Sequence, residues 1–136
     1  MVIVRKDAFA GPAILENGVF KTPFFDENKF PFHGRRLVNT NEFLKATQLR
    51  VVDGVTTDVI TDEKKQNKKM RKAFAADIES MEGAALHYVC LLQKIPFLQI
   101  RAISNKVGVR DKTKWKIKTA IENLAMELHA LLNDYK

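Results

Sequence analysis

The stretch that decides the fold runs from Ala75 to Asn105 and reads AADIESMEGAALHYVCLLQKIPFLQIRAISN. Its opening, AADIE, is typical of a short strand. The apolar residues after it recur at helical spacing and predict an amphipathic helix of about three turns: Met81, Ala84, Ala85, Tyr88, Val89 and Leu92. Pro96 ends the helical pattern, and PFLQIRAIS predicts a second strand that is covered on both faces. Strand, helix and strand in this order predict a parallel βαβ unit.

The flanking sequence continues this alternation of strands and helices. Val2–Lys6 predicts a strand, and Asn41–Thr47 predicts a short helix with an Asn or Thr cap. Strand-like residues follow at Leu49–Val52 and at Val55–Ile60. From Lys114 to Leu132 the apolar residues form one stripe, which predicts a long C-terminal helix packed on the sheet. We therefore expect an α/β protein.

Length and composition indicate one globular domain. The chain has 136 residues, of which 46% are hydrophobic and 29% charged; these values exclude a disordered chain and a two-domain enzyme. No stretch approaches the roughly 20 apolar residues that cross a bilayer. The single cysteine, Cys90, cannot form an intrachain disulfide, and no two histidines have the spacing of metal ligands. We expect a cytoplasmic protein with no membrane segment, metal or cofactor.

The positive charge is concentrated in one segment. Lys and Arg number 23 against 16 Asp and Glu, a formal charge of +7, and six of the basic residues lie between Lys64 and Lys72 in KKQNKKMRK. Met70 and Phe74 at helical spacing predict that this segment is a helix with a solvated basic face. No aromatic residue lies between the lysines to stack on bases, so nucleic acid is the less favoured partner.

The segment from Gly11 to Gly34 predicts an irregular insertion that is rich in aromatic residues. It contains Phe20, Phe24, Phe25, Phe30 and Phe32, together with Pro23 and Pro31. An apolar cluster of this kind has to be covered. Local packing over the domain surface is the preferred interpretation; a subunit interface and a wall of a ligand pocket are the alternatives.

Polar residues follow both strands of the expected βαβ unit, at the edge where open α/β sheets bind ligands. Glu82 lies at the start of the helix, where a carboxylate is stabilised and can accept hydrogen bonds from a sugar diol. Its simpler interpretation is an ordinary helix-start glutamate. Ser104 and Asn105 follow the second strand, where a turn or a cap is the commonest use of these residues.

Together these residues resemble a known pair of motifs. SMEGAA (Ser80–Ala85) and IPFLQIRAISN (Ile95–Asn105) are similar to the MEGAA or MEAAA element and the RAISD or RAISN element of the purine nucleoside phosphorylase and nucleosidase superfamily. WKIKTAIENL (Trp115–Leu124) further resembles the futalosine hydrolase branch, which removes hypoxanthine from futalosine in menaquinone biosynthesis. The resemblance implies a three-layer nucleoside phosphorylase-like fold, with residues 1–136 as the C-terminal portion of a single domain.

The resemblance also implies a role for each matched residue. Met81 and Glu82 would grip the ribosyl group, with Glu82 on the ribose hydroxyls, and Asn105 would recognise the purine at N7 and O6. Ser104 belongs to the same loop, and Ile60–Thr61 corresponds to the family's base-contacting strand. These residues are the candidate catalytic and substrate-binding groups.

An amide at Asn105 favours a 6-oxopurine. Departing hypoxanthine presents an acceptor at O6 and a donor at N7–H; an amide can serve both, whereas an ionised Asp can only accept. A buried mismatch of this kind discriminates by factors of roughly 10⁴ or more. Futalosine or an inosine-like nucleoside is therefore the expected substrate. A methylthioadenosine/adenosylhomocysteine nucleosidase and a purine nucleoside phosphorylase are the alternatives within the superfamily.

The implied reaction is dissociative cleavage of an N-ribosidic bond. Glu82 would stabilise the positive charge that grows on the ribosyl ring, and Asn105 would stabilise the leaving purine. The resemblance places the family's glycine-rich loop and water-activating glutamate upstream of the matched region. A noncatalytic nucleoside-binding or interaction fragment is therefore the alternative from another class. We also expect a homo-oligomer, because the open sheet edge favours pairing.

Three further residues are interpreted from their place in the pattern. His87 falls on the polar side of the predicted helix and is expected to be structural rather than a catalytic base. Cys90, in the middle of an apolar helix, is expected in the core rather than as a nucleophile. Arg101 lies in the second strand, where it either orients carboxylates near the site or lies at the strand edge.

Overall fold

The computed structural model describes residues 1–11, 14–17, 19–21 and 25–134. Within these residues the chain forms eight strands, four α-helices and one 3₁₀ turn. In chain order they are β1 (Val2–Asp7), β2 (Ile14–Glu16), β3 (Val19–Lys21), β4 (Phe32–His33), β5 (Arg36–Val38), α1 (Phe43–Ala46), β6 (Arg50–Thr56), α2 (Lys64–Phe74), β7 (Ile78–Ser80), α3 (Gly83–Leu92), β8 (Ile100–Arg101), the 3₁₀ turn (Lys112–Lys114) and α4 (Ile117–Asp134).

The main sheet is mixed. Its strand order is β4-β5-β1-β6-β7, and β8 also pairs with β1. Strands β1, β6 and β7 are parallel, while β5 and β8 are antiparallel to β1. Strands β2 and β3 form a separate antiparallel pair. The prediction of an α/β protein with parallel strands is confirmed.

The parallel βαβ unit is present, but one element earlier than expected. It consists of β6, α2 and β7, with Gly54 opposite Ile78 and Thr56 opposite Ser80. The segment that was expected to pair in parallel after α3 forms only the two-residue strand β8, which lies antiparallel to β1. Ile100 and Arg101 are half-buried, so this strand lacks the two covered faces that the apolar run predicted.

The two strand-like segments predicted before α2 form one strand. β6 continues from Arg50 through Asp53 and Gly54 to Thr56, and Val59 and Ile60 lie outside it. The expected break disappears because the backbone N–H of Asp53 donates to the Asp77 carboxylate at 3.1 Å, while Gly54 pairs with β7. The turn-forming residue types therefore do not interrupt the ladder.

Helix α2 confirms the amphipathic pattern of the basic segment. Met70 and Phe74 are buried against apolar residues that follow β1, lie in β6 and precede β7, and the basic residues of the helix are exposed. The apolar residues are Ala8, Ala10, Val55 and Ala76. The Arg35 guanidinium covers the Phe74 ring, 4.8 Å from its centroid. The helix ends at Ala75, whose φ of 42° is left-handed.

A second core cluster is aromatic and lies against α3. Phe9 stacks on Phe25 with ring centroids 4.8 Å apart, and Phe32 and Tyr88 pack against Phe25 at 5.6 and 5.1 Å. Local packing is therefore confirmed for Phe25 and Phe32. Phe30 is 63% exposed. The predictions for Pro23, Phe24 and the Phe20 side chain lie outside the described residues.

The long C-terminal helix is present as α4, but its predicted packing on the sheet is wrong. Ala120 is buried and Leu124 and Leu131 are half-buried, whereas the other large apolar side chains of the stripe are 42–68% exposed. These are Ile117, Ile121, Leu128 and Leu132. Helical spacing identifies an apolar stripe but does not identify the surface that covers it. No helix of the described ranges is both long and apolar enough to cross a bilayer.

Truncating the Phe74 ring tests the core between α2 and the sheet. Phe74 is 1% exposed, so we expect Phe74→Ala to lower the free energy of unfolding by about 3–5 kcal/mol, from lost burial and the remaining cavity. Urea unfolding measures the change. The control is Lys72→Ala, on the exposed face of the same helix, which should change it by no more than about 0.5 kcal/mol.

Candidate functional site

A cavity of about 730 Å³ lies between α2, the carboxyl end of β7 and the loop that follows β8. Side chains from all three walls reach it. Asn67, Lys68 and Arg71 come from α2, Ile78–Met81 from β7 and the following residue, and Ala102–Val109 from the loop. The cavity therefore lies at the sheet edge that the sequence predicted for a ligand, where β7 ends.

Four of the six predicted site residues line this cavity. Met81, Ser104 and Asn105 face it together, and Ile60 contributes from the segment between β6 and α2. Met81 is 50% and Ile60 45% exposed, so both present apolar surface that a flat base or a sugar can cover. The fold thus brings the two motifs into one site although 24 residues of sequence separate Met81 from Asn105.

The remaining two predicted residues, Glu82 and Thr61, border the cavity without lining it. Glu82 precedes α3 at the N-cap position, is exposed, and makes no capping hydrogen bond with its side chain. Two hydrogen bonds connect Thr61 to the start of α2. Its hydroxyl accepts from the backbone N–H of Glu63 at 3.0 Å, and its carbonyl accepts from Asn67 Nδ2 at 3.0 Å. Glu82 therefore has an uncommitted carboxylate, whereas the Thr61 hydroxyl has a structural partner.

The amide of Asn105 is oriented by its own loop. The Ser104 hydroxyl donates to Asn105 Oδ1 at 2.7 Å, and Asn105 Nδ2 donates to the carbonyl of Lys106 at 3.1 Å. An amide oxygen has two lone pairs and an amide nitrogen has two hydrogens. One acceptor site and one donor site consequently remain, which is the pair that O6 and N7–H of a 6-oxopurine require.

Trp115 closes the cavity beside this loop. Its indole nitrogen donates to the Val109 carbonyl at 2.8 Å, and the N–H of Lys116 donates to the Ser104 carbonyl at 2.8 Å. Asp111 caps the 3₁₀ turn by accepting from Thr113 N at 3.1 Å. These bonds fix the Trp115 ring next to the Ser104–Asn105 pair. The sequence drew attention to this tryptophan only through the resemblance.

Glu79 is a cavity residue that sequence reasoning missed. It lies in β7, is half-buried and lines the same cavity as Asn105. Burial raises the pKa of its carboxyl above the usual value. A carboxyl of this kind keeps its proton to higher pH and can donate a hydrogen bond. The strand pattern offered no signal, because alternation cannot tell which polar residue of a short strand faces a cavity.

The cavity wall carries both signs of charge. Lys68 and Arg71 on α2, Lys106 on the loop and Asp77 before β7 are exposed, and Glu79 within β7 is half-buried. Within the described ranges no cluster of three or more His, Cys, Asp or Glu side chains could hold a metal ion. The site offers hydrogen bonds, apolar surface and fixed charge for chemistry on an organic ligand.

A buried polar network lies behind the site, and it corrects the prediction for His87. His87 is 0% exposed, not on the polar side of α3. Gln99 lies beside it with its amide nitrogen donating to His87 Nδ1 at 2.8 Å and to the Gly83 carbonyl at 3.1 Å, while its oxygen accepts from Arg101 Nε at 3.1 Å. Arg101 thus contacts Gln99 rather than a carboxylate. Cys90, expected in the core, is only half-buried.

Asp7 completes this network at the end of β1. Its carboxyl is fully buried: Oδ1 accepts from the Ala8 N–H at 2.9 Å and from the Thr56 hydroxyl at 3.1 Å, and the Gln99 amide oxygen lies 3.4 Å from Oδ2. Burial raises the pKa of Asp7 against the opposing hydrogen bond from Ala8 and the charge of His87. Burial likewise lowers the pKa of His87, although the negative charge of Asp7 acts in the other direction. Desolvation therefore disfavours the charged form of both groups.

Two glycines make room for the Asp7 carboxyl. A Cβ at Gly54 would lie 3.0 Å from Asp7 Oδ2. A Cβ at Gly83 would collide with Asp7 Oδ2 and with the Gln99 amide, and would come within 2.7 Å of the Ser80 hydroxyl. The glycine of the SMEGAA motif is thus explained by close approach, because any side chain there would displace buried polar groups.

Replacing Gly83 by Ala tests this close approach, because a crowded and an uncrowded site predict opposite changes in the free energy of unfolding. In an uncrowded helix, Gly→Ala stabilises by about 0.5–1 kcal/mol. We expect Gly83→Ala to lower the free energy of unfolding instead, by about 1–3 kcal/mol, because the methyl group overpacks the network. The control is Ala85→Gly, at an exposed position in the same turn, which measures the helix propensity of this turn without crowding. A stabilised Gly83→Ala variant would contradict the close approach.

The buried imidazole predicts a loss of stability in acid. The pKa of His87 is lowered by folding, so below the unfolded value of about 6.5 only the unfolded chain binds this proton. Unfolding free energy should fall as pH drops from 7.5 through 6.5 toward the folded pKa, while the raised pKa of Asp7 reduces the fall.

Urea unfolding at several pH values measures this dependence. The slope for one proton approaches about 1.4 kcal/mol per pH unit, and His87→Gln should remove most of it. The matched control, His129→Gln on the exposed part of α4, accounts for the loss of a histidine as such. An unchanged slope in His87→Gln would show that another group titrates.

Comparison with known proteins identifies the family. The sequence model of the phosphorylase superfamily matches residues 3–135. Futalosine hydrolase of Thermus thermophilus is 34% identical over 93 residues, which cover 68% of this chain and 41% of that protein. Futalosine hydrolase of Streptomyces coelicolor is 39% identical over 46 residues, 34% of this chain and 20% of that protein. The match thus spans about two fifths of the Thermus relative.

A solved structure shares the fold. The crystal structure from Borrelia burgdorferi, assigned as a 5′-methylthioadenosine/S-adenosylhomocysteine nucleosidase and bound to adenine, superposes with a TM-score of 0.58. It is 20% identical, and the likeness covers 96% of this chain and 60% of that one. The match over nearly the whole sequence and the shared fold agree with the paired motifs around the cavity: the chain belongs to the phosphorylase superfamily.

Proposed function

We propose that the chain binds a 6-oxopurine nucleoside and belongs to an N-ribosyl hydrolase that converts futalosine to hypoxanthine and dehypoxanthinylfutalosine in menaquinone biosynthesis. The observation that carries the proposal is the meeting of Met81 with the Ser104–Asn105 pair in one cavity. The similarity to two futalosine hydrolases supports the same substrate. The proposal concerns the whole enzyme, of which the matched region is a part.

Purine recognition is assigned to Asn105. Its free donor would meet O6 of the base and its free acceptor would meet N7–H, while Ser104 and Lys106 hold the amide in this orientation. Adenine presents an amino donor at the O6 position, which would face a donor of the amide. The polar complement therefore favours hypoxanthine over adenine as the leaving group.

Ribose recognition is assigned to Met81 and Glu82. The uncommitted Glu82 carboxylate would accept hydrogen bonds from the ribose hydroxyls, and the Met81 side chain would pack on the apolar face of the sugar. In the reaction the C1′–N9 bond breaks and its electrons leave with the purine. Water adds its hydroxyl to C1′ and releases its other proton. This proton offsets the one that the leaving purine takes up at N7. Glu82 stabilises the positive charge on the ring during this exchange.

Replacement of Asn105 by Asp tests purine recognition. Trp115 is the single tryptophan and lies beside Asn105, so its fluorescence reports binding. We expect the chain to bind hypoxanthine, whose N7–H tautomer supplies the donor, at least about tenfold more tightly than adenine, the effect of roughly one well-placed hydrogen bond. Asn105→Asp should reverse this order, because an ionised carboxylate can only accept. The matched control is Asn123→Asp on the exposed face of α4.

The outcome of this titration separates the candidate functions. Equal affinity for hypoxanthine and adenine would contradict the assignment of Asn105. Incubation with futalosine, followed by chromatography, then tests turnover: release of hypoxanthine supports the hydrolase, release that requires phosphate indicates a phosphorylase, and adenine release from methylthioadenosine indicates the other nucleosidase. Binding without any turnover would identify a nucleoside-binding module.

A further inference from the structure

The start of α3 is capped from outside the helix. The N–H of Ala84 donates to the hydroxyl of Thr56 in β6 at 2.7 Å, and the N–H of Gly83 donates to the hydroxyl of Ser80 in β7 at 3.1 Å. The side chain of Glu82, the N-cap residue, takes no part. The first N–H groups of a helix have no partner within the helix. Here two strand hydroxyls satisfy them, and the carboxylate is left for other partners.

The capping hydroxyl of Thr56 is itself held in place. Thr56 is 4% exposed, and its hydroxyl donates to Asp7 Oδ1 at 3.1 Å while it accepts from Ala84. Asp7 Oδ1 also accepts from the N–H of Ala8 at 2.9 Å. The Thr56 proton therefore points toward β1 and its lone pairs point toward α3. One buried chain of bonds thus connects β1, β6 and α3.

Burying a carboxyl group is costly, so its retention calls for a reason beyond stability. The Asp7 carboxyl is surrounded by Gly54, Gly83 and Gln99 and has no ion pair among the residues that the structure describes. One of its bonds, from the Thr56 hydroxyl at 3.1 Å, leads through that hydroxyl to the entry of the chain into α3. That entry is where the Met81–Glu82 pair leaves β7.

We propose that Thr56, together with the Asp7 carboxyl behind it, is a positioning residue that sets the Met81–Glu82 pair for the ribose of the ligand. The inference rests on the proposed nucleoside-binding function and adds residues that do not touch the ligand. Thr56 acts through the first turn of α3, whose backbone determines where the Glu82 carboxylate stands.

The residue assigned to the base, Asn105, is held by a different set of hydrogen bonds. Asn105 is oriented by Ser104 and Lys106 in the loop after β8, and this loop has no hydrogen bond to Thr56 or Asp7 in the described residues. A disturbance of the Thr56 hydroxyl should therefore weaken the sugar contacts and leave the base contacts intact. Binding of a nucleoside and binding of its free base become separable measurements.

The test compares inosine with hypoxanthine in Thr56→Val. Fluorescence of Trp115 reports both ligands, because this residue lines the cavity. The wild-type chain should bind inosine more tightly than hypoxanthine. Thr56→Val, which is nearly isosteric, should weaken inosine binding by about tenfold, the effect of a misplaced hydrogen bond. Hypoxanthine affinity should stay within about twofold by the same reasoning. Thr56→Ser keeps the hydroxyl and should restore inosine binding.

Thr57→Val is the matched control. Thr57 is 3% exposed and adjacent to Thr56, but its hydroxyl bonds to the Val59 carbonyl at 3.1 Å and not to α3. It should not change the ratio of inosine to hypoxanthine affinity. Ser80→Ala, at a half-buried position, removes the second cap with less disturbance of the core and should lower the ratio if Thr56→Val does not fold.

Each result decides between the alternatives. Equal weakening of both ligands in Thr56→Val, with no rescue by Thr56→Ser, would assign Thr56 a purely structural role and overturn the inference. An unchanged ratio in both Thr56→Val and Ser80→Ala would overturn it as well. If the wild-type chain binds neither ligand, the proposed function fails first, independently of Thr56.

Discussion

A carboxyl group that is buried away from water needs hydrogen-bond donors from the protein itself. The fully buried Asp7 side chain imposes this requirement at the centre of the sheet. Two glycines, a buried glutamine and a threonine hydroxyl are arranged around it. The entry into α3 is fixed by the same arrangement. Strand pairing, helix start and site geometry therefore depend on a group that the bulk hydrophobic pattern does not anticipate.

The two motifs at the cavity are held by two sets of hydrogen bonds of different kinds. The start of α3, next to Met81 and Glu82, is capped by the hydroxyl of Thr56, 28 positions before Ala84, and by the hydroxyl of the nearby Ser80. The Ser104–Asn105 pair depends on bonds within its own loop and on the Trp115 anchor. A nucleoside likewise has two halves, joined by the bond that a hydrolase breaks. Rigid support on each side of that bond is what positional catalysis requires.

The elements that were predicted correctly from the sequence are those whose signal is local. Met70 and Phe74 lie four residues apart, so they are on the same face of α2, and this spacing alone predicts that the face packs on the core. The direction of β8 is not local: it depends on the pairing of Ile100 with Ile3, nearly a hundred residues earlier, and no periodicity reports it. His87 was misplaced for a related reason. A histidine is polar by type, but the Gln99 amide that bonds to its buried ring comes from the segment before β8, twelve positions further along the chain.

The sequence predicts that the basic face of α2 is a solvated surface, and in the fold two of its residues also line the cavity. Lys68 and Arg71 stand at the mouth of the cavity, so the positive field of the helix extends over the approach to the site. Such a field concentrates anions before any contact is made, and salt weakens it. Ligands with an anionic substituent are thereby gathered from solution faster than neutral ones of the same shape, and the rate of encounter depends on ionic strength.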